Sequence, residues 1–390
     1  MVLKTSSRYK RRIIGIVTLA AVLFAALFLL NKYVLKINDS VARRLNGFYL
    51  EEENSLDVII LGASEISRGF SPPEAYSRNG FTSYIYSIDS NPVSLFKYEL
   101  REILDRQTPQ VLVVEVDGAT KNDKFLYREG SIRRVTDTAR NFGNKRALIN
   151  DLCKDDKLSY YCSLIKYHSR WPVLFDGKEG WKEILAENKR GYSLMRGFIQ
   201  YTDEEPAKLP REIKDVRNDR TMQELSPGSE RCLREFVNMC KENGIENVLF
   251  VRFPHRIENE KRYKSNCKAN KVGEIAAEYG YDFLNMNQLV DEIGIDEYDF
   301  NDSEHMNLKG AIKTTAYLSD YVTEKYNIQP TPQSEEQKEE WAESVKYFDL
   351  LTEYWDKVPR KEGEKGWIKF YGDNIGTVEA LDNFAAQKHE

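Results

Sequence analysis

The sequence predicts an α/β protein: a flavodoxin-like three-layer α/β/α sandwich around a mostly parallel five-stranded sheet, preceded by one N-terminal transmembrane helix. Three observations predict it. From residue 57 onward, short apolar runs rich in β-branched residues alternate with amphipathic helical segments, and that alternation implies parallel strands joined by crossover helices. An uninterrupted apolar stretch of membrane-spanning length lies near the N-terminus. A chain of 390 residues is long enough for one large domain with appendages or for two modest ones.

The N-terminus comes first. RYKRR at 8–12 is followed by IIGIVTLAAVLFAALFLL at 13–30, which as a helix would rise about 27 Å, close to the thickness of a bilayer's hydrocarbon. The cations Lys4, Arg8, Lys10, Arg11 and Arg12 favour a cytoplasmic N-terminus. A cleaved signal peptide is the rival reading, but the run is long for such a segment. Asn31-Lys32-Tyr33 also lacks the small residues of a cleavage site. The expected organisation is a cytoplasmic basic segment (1–12), a signal anchor (13–30) and a juxtamembrane linker (31–54). An extracytoplasmic α/β domain (55–328) and a C-terminal extension (329–390) follow, in a single-pass protein of the cell membrane.

Within the α/β domain, VIILG (58–62), SYIYSI (83–88), VLVVEV (111–116), VLFVRF (248–253) and DFLNM (282–286) read as strands. Helical spacing marks 94–106, 229–244, 268–281 and 307–326. A long insertion, 119–228, separates the third and fourth strands and carries Tyr160, Tyr161, Tyr167, Trp171, Trp181, Tyr192 and Tyr201. Insertions of this length are functional or carry structure of their own; a cap beside the sheet and a helical decoration both fit. Residues 330–340 read as a linker or helix start, 341–355 as amphipathic, and 367–372 as a strand.

Composition narrows the function. A net charge of −5 argues against a nucleic-acid binder. The odd set of Cys153, Cys162, Cys232, Cys240 and Cys267 shows neither a dense disulfide framework nor metal-ligand spacing. No cofactor is implied.

Two stretches carry candidate chemistry. DVIILGAS (57–64) ends a buried-looking strand on Ser64, where open α/β sheets place their ligands, although a serine there can also simply cap the next helix. DFNDSEHMNLKGA (299–311) sets Asp302 three residues before His305, ahead of a helix. An Asp so placed can hold one ring nitrogen and leave the other to take a proton from a hydroxyl, the base-and-orienter half of a Ser-His-Asp arrangement. Helix capping by Asp302 and His305, or a metal site from Asp299, Asp302 and His305, uses the same residues. His255, after the fourth strand, could line the pocket.

Gly62-Ala63-Ser64 after the first strand, with Asp302-x-x-His305-x-Asn307 before the last helix, resembles the SGNH (GDSL-like) hydrolase superfamily over about 55–326. The resemblance implies the flavodoxin-like fold, with Ser64 as nucleophile, His305 as general base and then acid, and Asp302 as its orienter. It further implies an oxyanion hole from the backbone of Ser64, the turn at Ser90, and Asn122. The turn Ser87-Ile88-Asp89-Ser90-Asn91-Pro92 lacks the family's glycine, and the family's Gly-x-Asn-Asp is not found around Asn122. Anchored members of the family act on acyl groups of cell-envelope polymers. The resemblance therefore implies an esterase or O-acyltransferase working on an acylated polysaccharide or a teichoic-acid-like polymer, with a membrane-bound acyl-transfer protein as a possible partner. A non-catalytic envelope protein that binds glycan or scaffolds enzymes with a degenerate SGNH fold is the alternative.

Overall fold

The computed structural model describes residues 2–35, 40–188, 194–199 and 214–357. Five strands, β1 (Val58–Gly62), β2 (Ser83–Ser87), β3 (Val111–Glu115), β4 (Val248–Arg252) and β5 (Asp282–Asn285), form one sheet in the order β2-β1-β3-β4-β5. Every pairing is parallel. Each strand is four or five residues long and the first four are buried throughout, as strands covered on both faces must be. The expected three-layer sandwich is what the chain adopts.

The first helices are α1 (Val2–Tyr33), α2 (Ser40–Phe48), α3 (Ser64–Gly69), α4 (Pro72–Asn79), α5 (Phe96–Leu104), α6 (Glu129–Thr138) and α7 (Phe142–Leu152). Then come α8 (Lys157–Tyr161), α9 (Ser163–Tyr167), α10 (Gly177–Asn188), α11 (Pro227–Glu242) and α12 (Glu260–Glu278), followed by α13 (Val290–Ile293), α14 (Leu308–Tyr326) and α15 (Glu335–Lys357). Within α1, Tyr9–Tyr33 is long and apolar enough to cross a membrane and is not buried by the rest of the chain.

The chain divides into two compact units, Met1–Asp39 with Ile149–Arg190, and Ser40–Leu148 with Gly191–Glu390. The second holds the sheet. Alternate strand residues Val58, Ile60, Val111, Val113, Leu249 and Val251 join Phe70 of the α3–α4 turn, Leu308, Ala311 and Leu318 of α14, and Tyr347, Phe348 and Leu351 of α15 in one core. On the other face, Phe236 of α11 meets Phe96 of α5 and Phe250 of β4 edge-on, with ring centroids 5.6 and 6.3 Å apart.

Two boundaries differ from expectation. The stretch read as a juxtamembrane linker contains α2, which packs on β2 and buries Phe48 against Tyr84 and Tyr86. The C-terminal extension begins with α15, whose Trp341 stacks on Tyr76 of α4 with centroids 4.6 Å apart. Both belong to the sheet unit. The 119–228 insertion is split: Ile149–Arg190 groups with the first helix, and the flanking residues group with the sheet. The strand expected at 367–372, and Tyr192 and Tyr201, lie outside the described residues.

Candidate active site

Ser64 is delivered by the tight join of β1 to α3. A Cβ on Gly62 would stand 2.5 Å from that of Glu115, so only glycine lets the ends of β1 and β3 close up. Ala63, not Ser64, is the N-cap of α3. The Ser64 hydroxyl is therefore not spent on capping and points to His305 instead, with Oγ 2.9 Å from Nε2.

His305 is held from below. An antiparallel bridge pairs Phe300 with Met306, and Asn307, whose Oδ1 accepts the Gly310 amide at 3.1 Å, caps α14. Neither Asp302 nor His305 is consumed as a cap of that helix. Asp302 instead accepts the amides of Glu304 and His305 at 2.8 and 3.0 Å, and its Oδ2 lies 2.8 Å from His305 Nδ1. Burial alone would raise the Asp302 carboxyl, but hydrogen bonds and charge from His305 outweigh it and hold it below its ordinary value. A carboxylate only accepts, so Nδ1 carries a hydrogen and Nε2 faces the serine with its lone pair. Asp299 takes no part: its carboxylate accepts from Lys313 Nζ at 2.7 Å and closes a capping box with Asp296.

Behind Ser64 lies a second cluster that the sequence does not announce. Glu65 is buried, with Oε2 3.3 Å from Ser64 Oγ and Oε1 3.9 Å from His255 Nε2. Arg252, fully buried at the end of β4, donates to Asp117 Oδ1 at 2.7 Å and lies 3.1 Å from His255 Nδ1. Arginine can only donate, so His255 Nδ1 is the acceptor and the ring's hydrogen sits on Nε2, toward Glu65. Burial, then the charge of Arg252, push the His255 imidazole well down, which keeps it neutral.

Burial, then Asp117, push the Glu65 carboxyl up. Burial and the charges of Glu65 and Asp117 drive Glu115 well up. Asp117 goes the other way: burial would raise it, yet Lys121 and Arg252 hold it well below the carboxylate range. The Ser64 hydroxyl thus faces two acceptors, Glu65 Oε2 at 3.3 Å and His305 Nε2 at 2.9 Å.

The ligand-type atoms of Glu65, Asp117 and His255 all fall within 4.8 Å of one another, close enough in principle to surround an ion. Their electrostatics oppose a divalent cation there. Asp117 already carries Lys121 at 2.6 Å and Arg252 at 2.7 Å, and His255 Nδ1 faces the same guanidinium. The donor set fits an internal ion-pair network better than a metal.

The expected oxyanion residues fall in different places. Ser90, on the turn leaving β2, adopts φ +59°, the left-handed region where glycine is at ease and other residues carry strain. The next residue, buried Asn91, anchors this turn to the site by donating to the carbonyl of Gly62 at 3.0 Å. Asn122 is exposed and its Oδ1 accepts the Phe125 amide at 3.3 Å. It lines a cavity of about 550 Å³ with Thr120, Lys121, Lys261, Arg262, Lys264 and Lys268, and among the described residues that line it Glu260 is the only acid. This cavity borders the site through Lys121, paired with Asp117, and Arg262, paired with Glu304 next to His305.

Sequence reading singled out Ser64, Asp302 and His305, which the structure brings into one hydrogen-bonded row, and His255 at the ligand edge, which is buried beside Glu65. It missed Glu65, Asp117 and Arg252. The one available signal was an acid at a strand's end, as in VLVVEVD, where a buried strand runs straight into Glu115 and Asp117.

No protein-family model matches the chain, and no curated protein is similar to it. The α/β/α architecture is compatible with the broader hydrolase and acyltransferase folds. The buried acidic and histidine cluster, together with the membrane-spanning helix, is consistent with a membrane-anchored enzyme acting at an interface.

Proposed function

We propose that the chain is an extracytoplasmic serine acyl-ester enzyme of the SGNH type, anchored by α1 with its N-terminus in the cytoplasm. The observation that carries this reading is the hydrogen-bonded row Asp302–His305–Ser64 at the carboxyl edge of the sheet. In the proposed reaction His305 Nε2 takes the hydroxyl proton as Ser64 Oγ attacks an acyl ester, and returns it to the departing alcohol. Asp302 stabilises the imidazolium. The acyl-Ser64 intermediate then passes to water, or to a sugar or polyol hydroxyl deprotonated by the same imidazole.

The backbone N–H of Ser64, in the first turn of α3, and that of Ser90 are the proposed oxyanion donors. Asn122 is assigned to the cavity wall. The cationic lining of that cavity, in a chain of net charge −5, favours an anionic acceptor such as a teichoic-acid-like envelope polymer over a neutral glycan.

The test is turnover of p-nitrophenyl acetate by the full-length protein, with the acetyl-enzyme trapped at low pH and located by peptide mass. The proposal expects a nitrophenol burst, acetyl on Ser64 and inhibition by a soluble polyanion. Acetylation scattered over lysines, with no burst, would favour the glycan-binding scaffold instead.

A further inference from the structure

We infer that residues 157–188 form a docking element for the lipid bilayer, seated in the headgroup region beside the point where α1 leaves the membrane. This rests on the membrane span alone and is independent of the chemistry proposed for Ser64.

The position follows from the contacts of α1. Its apolar run ends at Leu30, so Asn31 marks the edge of the hydrocarbon. The amide of Leu164, in α9, donates to Asn31 Oδ1 at 3.0 Å. Val34 and Leu35, just past the helix, are buried in a small core with Tyr167, Val173 and Ile184, against which Leu30, Leu164 and Leu174 pack. Any residue in direct contact with that helix end lies within about one helix diameter, roughly 10 Å, of the bilayer boundary.

Side-chain exposure points the same way. After Leu29, eleven large apolar side chains are exposed among the described residues, and six of them fall here: Leu158, Tyr161, Ile165, Trp171, Phe175 and Trp181. Phe175 is 74% exposed, Trp171 53% and Trp181 51%. Such a concentration in water is costly and marks an interaction surface. Tryptophan and tyrosine beside a span are the residues that settle at the lipid interface, where an apolar ring and a polar tip are both satisfied.

Charge decides the kind of lipid contact. Lys157, Lys166, Arg170, Lys178 and Lys182 are nearly matched by Asp176, Glu179, Glu183 and Glu187. A polybasic attraction to anionic headgroups is therefore weak. The rings should enter by apolar burial, largely regardless of headgroup charge.

The full-length chain, reconstituted into phosphatidylcholine vesicles, tests this through its tryptophans. Replacing part of the lipid by acyl-chain-brominated phosphatidylcholine is expected to quench emission from Trp171 and Trp181. The Trp171→Phe/Trp181→Phe double variant should lose most of that quench, and each single variant part of it, which guards against misfolding of the double. The wild-type rings should also be shielded from aqueous acrylamide. Equal bromolipid quenching with and without the two rings would overturn the inference. So would quenching that appears only when anionic lipid is added, or shielding from acrylamide that requires a second membrane protein.

Discussion

Ser64 separates two polar clusters built on opposite principles. In front, Asp302 and His305 sit on a short bridge-stabilised loop before α14, partly open to solvent, with side-chain exposures of 45% and 17%. Behind, Glu65, Glu115, Asp117, Arg252 and His255 are buried at the ends of β1, β3 and β4. The front group is a short hydrogen-bonded row from Asp302 through His305 to Ser64, with Asp302 also accepting two backbone amides of its own loop. The rear group is a buried network centred on the Asp117–Arg252 pair, where removing either partner strands a charge. The comparison teaches that the partly exposed histidine and the buried ion pair are kept on opposite sides of one serine, so the proposed proton transfer and the structural charges can be perturbed separately.

Breaking the front should cost reaction and not fold. Asp302→Asn is expected to slow acylation of Ser64 by about 10²- to 10⁴-fold, since His305 loses the partner that fixes its tautomer. The urea midpoint should stay close to that of the wild type. A large fall in stability would show that the loop is a structural strut and would blur the distinction.

Breaking the rear should do the reverse. Asp117→Ala leaves Arg252, fully buried in the fold, without its carboxylate at 2.7 Å, and removal of one partner of a buried pair costs about 3–5 kcal/mol. Urea unfolding would read this as a lowered midpoint with an unchanged slope. Full stability in this variant would mean that water reaches Arg252.

The difference in legibility follows from the same physics. The front group is local in sequence: an Asp three residues from a His, and a serine ending an apolar strand, are readable because spacing alone brings Asp302 and His305 together. The rear group is assembled from residues 65, 115, 117, 252 and 255, far apart in the chain, and only the sheet order joins them. The five strands were legible because buried parallel strands are continuous apolar runs. The first two turns of α12 were not, because Glu260–Cys267 shows polar residues on a helix whose buried side holds Asn266 and Asn270, bonded to Asn285 at 3.1 and 2.8 Å. An apolar-periodicity argument has nothing to grip there. Likewise Ser40–Phe48, within the expected linker, has two arginines and only a few apolar residues, yet it folds as α2 with Arg44 buried against Asp89 at 3.2 Å. The missing glycine at Ser90 was visible in sequence. That the chain adopts a left-handed residue there regardless was not.

A smaller effect sharpens the comparison through pH. Glu99, fully buried on α5, accepts from Asn91 Nδ2, and burial pushes its carboxyl up to about 8 from an ordinary 4.5, with the Asn91 bond opposing. Because the folded value is the higher one, the folded state favours the neutral form. The associated stability is fully present below about pH 4.5 and is lost as pH rises through about 8. Glu99→Gln should flatten that decline, a difference on the order of a few kcal/mol by mildly alkaline pH. The amide can also donate to Asn91 Oδ1, which has no hydrogen-bond partner among the described residues. Parallel unfolding series from pH 5 to 9 would show two converging curves at the acid end; curves that stay parallel would contradict a neutral Glu99.

The central claim, that Ser64 is an activated nucleophile, is tested most directly by treating the full-length protein with a fluorophosphonate and weighing it intact, with Ser64→Ala and His305→Ala alongside. The account predicts one adduct on the wild type and none on either variant, with all three equally folded by circular dichroism. An unmodified wild type, or an adduct that persists in Ser64→Ala, would contradict it.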